Sequence, residues 1–439
     1  MTTRSTMAGA AMLAATMGLG AETTLAQGQP PLSAADSDPV KMGWMVGAPP
    51  PPDKLILFSD ATMHRFPQTR WSFANFRRFM PSSNIWRGEG GAAPLPRAER
   101  EDIDAVTFQP LGRTTTMTWA DSLQANYTDA IVVLHKGSIV YERYFGVMNP
   151  HATHIAMSVT KSFFGTLGAM LVAEGKLDDK ALVSTYIPEL KDTAYGDATV
   201  RQVMDMTIGV KYSENYADPK AEIWDHVRAG GVLPRPPGYA GPTSFYGFLK
   251  TLKKEGEHGQ AFAYKTVNSD VLGWLVRRAS GQPVGDLLSE RIWQKLGMEQ
   301  DAYMLIDSEG TEFAGGGLNL TVRDMARFGE MMRLGGNYNG QQIVPKAVVD
   351  DIRKGGKTSD FEKAGYATLP GWSYRDMWWV SNNEHGAFMA RGIHGQSIYI
   401  DPKAEMVIAR FASHPLAANG NNDPTTLPAF HALARHLMQ

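Results

Sequence analysis

The sequence predicts an α+β fold (α/β in the broad sense), an antiparallel sheet flanked by helices with a large helical lobe. Three observations carry this. Strand-like runs gather at two places, "DAIVVLHKGSIVYERYFG" from Asp129 and "MWWVSNN", "ARGIHGQSIYIDP" and "EMVIARFAS" after Asp376. Between them, from about 178 to 340, the spacing is mostly helical or loop-like. A helical stretch, "PAFHALARHLM", closes the chain. The two strand regions together form one sheet, and the middle is a lobe inserted into it.

In chain order, "MTTRSTMAGAAMLAATMGLGAETTLAQ" opens with Arg4 and a short alanine-rich apolar run. Thr24 and Ala26 supply small residues at the −3 and −1 positions, so residues 1–26 read as a secretory signal peptide cut after Ala26. The alternative is a terminus that stays attached. The run is too short to span a bilayer, and no later segment is long enough. The expectation is an exported, periplasmic or secreted protein without stable membrane insertion. Residues 27–115 form a linker, with Pro49 to Pro52 in extended geometry, and an extension packed on the main domain. That stretch is too aromatic for a flexible tail. Residues 116–439 are the main domain, its sheet drawn from about 116–157 and 340–439 and its lobe from about 158–340.

Ile131, Val133, Ile139, Tyr141 and Tyr144 mark a hairpin turned at Lys136-Gly137. Ser158 then opens a helix with Phe164, Leu167, Leu171 and Val172 at helical spacing, ended by Gly175. Thr199 is an N-cap; "NSDVLGWLVRRASG" closes at Gly281; a further helix runs from Thr321 to Gly335. Asp401-Pro402 is a turn.

Composition narrows the function. A 43% hydrophobic and 20% charged content fits a packed enzyme. A net charge of −2 without a basic stripe argues against nucleic acid as partner. With no cysteine, disulfides, thiolate metal sites and a cysteine nucleophile are all excluded.

"SVTKS" places Ser158 and Lys161 three apart, on one helical face. A serine hydroxyl needs a base to become a nucleophile. A lysine serves when neutral, and both desolvation and the positive helix N-terminus favour that form. The Ser158 N–H at the helix start can face an oxyanion. A serine-x-x-lysine pair is expected roughly once by chance in a chain this long, and a solvated surface pair is the usual case. Two further motifs therefore decide. "FAYKTVNSDVLGW" offers Tyr264 for proton relay, or as a core tyrosine. In "ARGIHGQSIYIDP" glycines precede an alternating strand, where a substrate backbone can approach and the Ile393 N–H can be a second oxyanion donor; a bulge or tight bend is the alternative. His394 either touches substrate or hydrogen-bonds within the strand. His151 and His154 lack a carboxylate partner in a metal motif and read as loop residues. "GGGLNL" lacks a phosphate-loop lysine and reads as a bend lining the cleft.

In this order and spacing, the three motifs resemble the serine β-lactamase and penicillin-recognising superfamily, in its class C-like branch. Within it, "PPPPDK", "RFPQTRWSFANFR", "SVTKS", "YSENYADP", "TVNSDVLGW", "MWW" and "GIHGQ" are similar to the 6-aminohexanoate-dimer hydrolase group, over roughly residues 45–435. The resemblance implies a β-lactamase/transpeptidase-like fold and a serine hydrolase acting on a small-molecule ester or amide through an acyl-enzyme. It implies Ser158 as nucleophile, Lys161 as base partner, Tyr264 as third catalytic residue and the N–H groups of Ser158 and Ile393 as oxyanion donors. Tyr216, Trp379, Asn268, Gly392 and His394 are the expected substrate contacts. No cofactor or metal is implied, and the oligomeric state stays open.

The chain departs from the pattern twice. The asparagine expected two residues after the tyrosine is Thr266, with Asn268 beyond it. The lysine-threonine-glycine position reads Ala390-Arg391-Gly392, which counts against efficient β-lactamase activity unless Arg391 replaces the lysine. The alternatives are a D-alanyl-D-alanine peptidase (penicillin-binding protein) or β-lactamase using the same machinery, and a non-catalytic binding protein. The trio Ser158, Lys161 and Tyr264 argues against the last, since binding needs none of the three.

Overall fold

Lys136 and Gly137 both have positive φ, 51° and 78°, as a two-residue hairpin turn with the right twist requires. The computed structural model, which describes residues 30–439, builds its main sheet on this hairpin. The signal-peptide reading of residues 1–26 lies outside the described residues. Strands β1 (Thr128–His135) and β2 (Ser138–Tyr144) are joined by β3 (Ser373–Arg375), β4 (Trp378–Val380), β5 (Phe388–Gly392), β6 (Gln396–Asp401) and β7 (Met406–Ala412). The spatial order is β3-β4-β5-β6-β7-β1-β2, antiparallel throughout.

Helices cover both faces. On one, helix α2 (Val159–Ala173) and helix α4 (Val322–Arg333) pack, α4 so closely that a Cβ on Gly329 would meet Ile398 Cγ2 at 2.8 Å. On the other, helix α1 (Trp119–Ala125) and the C-terminal helix α5 (Asp423–Leu437) meet through Trp119 and Phe430, and Phe430 also packs on Tyr399. Helix α5 starts five residues before the stretch read from sequence, because Pro424 suits a first turn. Pro428 cannot donate back to the Pro424 carbonyl, and the Leu111 N–H takes that carbonyl at 2.9 Å instead.

The lobe between α2 and α4 contains helix α3 (Val267–Ser280), closed by Gly281 with φ 73°. Thr199 and Thr321 cap their helices, each Oγ1 accepting an N–H three residues on at 3.2 Å. One feature departs from the helical-and-loop reading. Leu318–Leu320 and Ala302–Leu305 are strands of a second, four-stranded sheet with Ser82–Ile85 and His154–Ile155. Both lobe strands are buried on both faces, so they have no alternation to read. The "GIHGQ" stretch also departs. It is the turn between β5 and β6, with His394 at φ 62°, not the start of a single strand.

The extension lies on this second sheet. Trp44, Ile56, Met63, Trp71, Phe73 and Phe76 form an apolar cluster with Ile155, Val232, Phe245, Leu305 and Phe313. Arg70 anchors it, Nη1 donating to Asp129 Oδ1 at 2.7 Å and to the Tyr127 carbonyl at 2.9 Å, while His154 Nε2 sits 3.3 Å from Asp129 Oδ2. His154, read as a loop residue, is thus a buried strand residue with a carboxylate partner.

Candidate active site

The short strand His154–Ile155 delivers the chain into a sharp turn. Met157 takes the left-handed conformation, φ 47°, which a non-glycine residue enters only under constraint. The constraint is visible: the Ala156 N–H donates to the Leu318 carbonyl at 2.8 Å, and the Leu318 N–H to Thr160 Oγ1 at 3.1 Å. The main-sheet strand β5 presses from the other side, where a Cβ on Gly392 would meet the Ala156 carbonyl at 2.7 Å. Gly392 thus makes room for this turn rather than for a substrate backbone. Strand β5 is also interior to the sheet, although β4 pairs only with its Phe388 and Met389.

Ser158 follows at the N-terminus of α2, and its N–H meets no acceptor among the described residues. One turn on, Lys161 Nζ donates to Ser158 Oγ at 2.8 Å and to the Gly315 carbonyl at 2.5 Å. Lys161 is 1% exposed. Burial lowers its pKa from 10.5 to about 8, against the charges of Glu214 and Asp270, which raise it. About a tenth of the lysine is then neutral at pH 7, rising to about half at pH 8, and this form can accept the serine proton. Tyr264 lies on the same centre, its ring 5.1 Å from Lys161 Nζ. Burial pushes the phenol well above its ordinary range, against the lowering effect of the adjacent Ser158 hydroxyl, so it is a proton donor at neutral pH.

Three groups of this centre were not singled out from sequence. The Gly315 carbonyl is backbone and leaves no side-chain signal; the glycine itself is needed because a Cβ there would lie 2.3 Å from Thr266 Cγ2. Glu214, inside "YSENYADP", accepts the Thr266 N–H at 2.5 Å, Thr266 Oγ1 at 2.7 Å and the Tyr216 hydroxyl at 2.5 Å, capping α3 with a carboxylate. Asp270 accepts the Gly315 N–H at 3.0 Å and lies 2.8 Å from His226 Nε2, holding the glycine turn against Lys161. Gly315→Ala is expected to displace that carbonyl and lower kcat/KM for a p-nitrophenyl ester by about a hundredfold, with the fold intact by circular dichroism.

Ser158 opens into a cavity of about 260 Å³. Of the residues expected at substrate, Tyr216 and His394 line it, as does Ile393, expected as an oxyanion donor. Three others do not. Asn268 is fully buried, its Oδ1 accepting the Tyr195 hydroxyl at 2.7 Å. Two residues along a helix is about 200° of rotation, so Thr266 faces the cavity and Asn268 faces away. Trp379 packs tilted behind Tyr264, centroids 5.3 Å apart, and is not among the residues lining the cavity. Gly392 backs the serine turn, as above. Arg391 is turned from the cavity to a buried ion pair with Asp423 and lies over Trp379, so it does not replace the missing lysine. His394 holds the His414 carbonyl through Nδ1 at 2.7 Å, a bond from the turn and not within a strand, and it lines the cavity. Elsewhere, Glu384, His385 and His431 bring metal-type ligand atoms within 4.8 Å of one another, outside the cavity. There His385 is already paired with Asp401 at 2.7 Å and His431 with Glu384 at 3.3 Å.

Residues 118–426 match the Beta-lactamase family, and the chain belongs to this family of serine hydrolases. Within it, the chain is 35% identical over 350 residues to the 6-aminohexanoate-dimer hydrolase of Paenarthrobacter ureafaciens, covering 80% of this chain and 86% of that protein. A Bacillus anthracis structure assigned to the same enzyme type superposes with a TM-score of 0.77 at 35% identity, over 85% of this chain and 95% of that one. EstCE1, a hydrolase with promiscuous acyltransferase activity, shares the fold at 15% identity and a TM-score of 0.56, over 72% and 98% of the two chains. Among the described residues no helix is long and apolar enough to cross a membrane.

Proposed function

We propose that the protein is an exported serine hydrolase that cleaves a small ester or amide through an acyl-enzyme on Ser158. The observation that carries this is the 2.8 Å contact between Ser158 Oγ and a fully buried Lys161 Nζ. Neutral Lys161 takes the serine proton as Oγ attacks the carbonyl carbon. The N–H groups of Ser158 and Ile393 receive the oxyanion. Tyr264, protonated by virtue of its burial, passes a proton to the leaving oxygen or nitrogen and recovers it through Lys161. Water then repeats the attack on the acyl-enzyme and releases the acid. The relatives named for 6-aminohexanoate-dimer hydrolysis support an amide or ester bond as target. The paired Arg391 weighs against β-lactam and D-alanyl-D-alanine substrates, whose carboxylate needs a free cation. Export rests on the first 26 residues read as a signal peptide.

Intact mass after treatment with a fluorophosphonate tests the nucleophile. A single adduct mapped to Ser158, absent from Ser158→Ala together with p-nitrophenyl ester turnover, is the expected result. Equal turnover by the two forms would remove Ser158 from the mechanism.

A further inference from the structure

The 260 Å³ cavity beside Ser158 has an unusual wall for a relative of an enzyme named for an amino acid dimer. No Asp, Glu, Lys or Arg side chain lines it. Phe66, Phe73 and Phe76 of the extension face Trp224 and Val232 of the lobe, with Leu416 at an exposed edge. The two lining histidines are committed to backbone carbonyls, His64 to Val232 at 2.9 Å and His394 to His414 at 2.7 Å. Burial lowers each to a pKa of about 4, so both are neutral at pH 7. The nearest charges stand behind the wall and are turned to other groups: Glu214 accepts from Thr266 and Tyr216, and Asp270 accepts the Gly315 N–H through Oδ1 while its Oδ2 lies 2.8 Å from His226 Nε2. The Lys161 amine is spent on Ser158 and Gly315.

We infer that this cavity takes a neutral, apolar arm of the substrate and turns away an arm that ends in a carboxylate or an ammonium. This rests on the reading of Ser158 as nucleophile. A charge moved from water into such a wall finds no counter-charge and is strongly disfavoured. An apolar arm gains with each methylene it buries. At about 260 Å³ the cavity has room for an arm of several carbons. The buried Thr69 hydroxyl, a lining group without a hydrogen-bond partner among the described residues, is itself neutral.

The test compares kcat/KM for two ester series, one lengthened in the acyl arm and one in the alcohol arm. Each includes six-carbon members ending in methyl, carboxylate or ammonium. In one arm kcat/KM is expected to climb about fourfold per methylene before the cavity fills. In that arm either charge is expected to cost at least a hundredfold. Leu416→Arg, at an exposed position of the rim, is expected to narrow the gap for the carboxylate ester by about tenfold. The rate of Ser158 labelling by hexyl and ω-carboxyhexyl phosphonates gives the same comparison without turnover. Labelling of Ser158 with charged and methyl arms used equally in both series would overturn this inference and leave the nucleophile standing. Absence of labelling by every phosphonate would overturn both.

Discussion

Lys161→Met is expected to lower kcat/KM for a p-nitrophenyl ester by about 10³–10⁴-fold, with the serine still in place. Methionine keeps the length and apolar body of the side chain at a site that is 1% exposed. It removes only the amine that reaches Ser158 Oγ and the Gly315 carbonyl. The wild-type pH profile of kcat/KM is expected to rise with a midpoint near 8, where Lys161 loses its proton, and that limb is expected to vanish in the variant. Tyr264 adds no limb there, because burial holds its phenol protonated. The same pKa makes a stability prediction of known sign. The folded value, about 8, lies below the ordinary 10.5, so between those pH values the unfolded chain holds a proton that the folded one lacks. Stability contributed by this site therefore rises with pH across that window. Below pH 8 the wild type carries the whole penalty, on the order of 3 kcal/mol. The variant has no penalty but leaves the Gly315 carbonyl without its donor, a loss of about 1–3 kcal/mol. The two nearly cancel at pH 7. Thermal melts from pH 7 to 10.5 should then show the variant losing ground to the wild type as pH rises. A constant difference would mean that Lys161 is charged in the folded protein, and an unchanged kcat/KM would mean that it is not the base.

How much of this was legible depended on whether a residue acts by its side chain and within one element. Ser158 and Lys161 are three apart on a helix whose start was readable, so their contact followed from helical geometry alone. The hairpin at Lys136-Gly137 and the caps at Thr199 and Thr321 were legible for the same local reason. Asn268 was misplaced because a motif position says nothing of the face it takes; the Thr266 alternative is separated from it by half a turn of helix. The second sheet was missed because its strands have only two to four residues, too few to show a period, and three of the four are buried throughout and so have no alternation to show. The glycines at Gly315 were legible as a bend lining the cleft, but the contact of the Gly315 carbonyl with Lys161 and the His226–Asp270 pair arise only through tertiary packing of the lobe. The cavity wall was illegible for a similar reason: its aromatic side comes from an extension more than eighty residues upstream of Ser158.

That extension should prove structural and functional at once, and Arg70→Leu is the variant that shows it. The Arg70 and Asp129 side chains are 3% and 4% exposed and paired at 2.7 Å. Arg70 Nη1 also reaches the Tyr127 carbonyl and, at 3.2 Å, Ser413 Oγ. Leucine there leaves Asp129 buried with only His154 beside it, and an uncompensated buried charge costs about 3–5 kcal/mol. A urea midpoint shifted down by that amount, with an unchanged slope, is the expected result. The double variant with Asp129→Leu should recover most of the loss, since replacing both members of a buried pair by apolar groups is often near neutral. A recovery of less than half would mean that the hydrogen bonds to Tyr127 and Ser413, and not the ion pair, hold the extension. Activity adds a readout that mere destabilisation does not move. Phe73 and Phe76 follow Arg70 by three and six residues and form part of the cavity wall. With the anchor gone, kcat/KM for a hexanoate ester should fall about tenfold more than for an acetate ester, both measured well below the melting temperature. An equal fall for both esters would place the extension's effect at the serine turn, through the Phe73 carbonyl that accepts the Ile155 N–H at 2.9 Å, and not at the apolar wall.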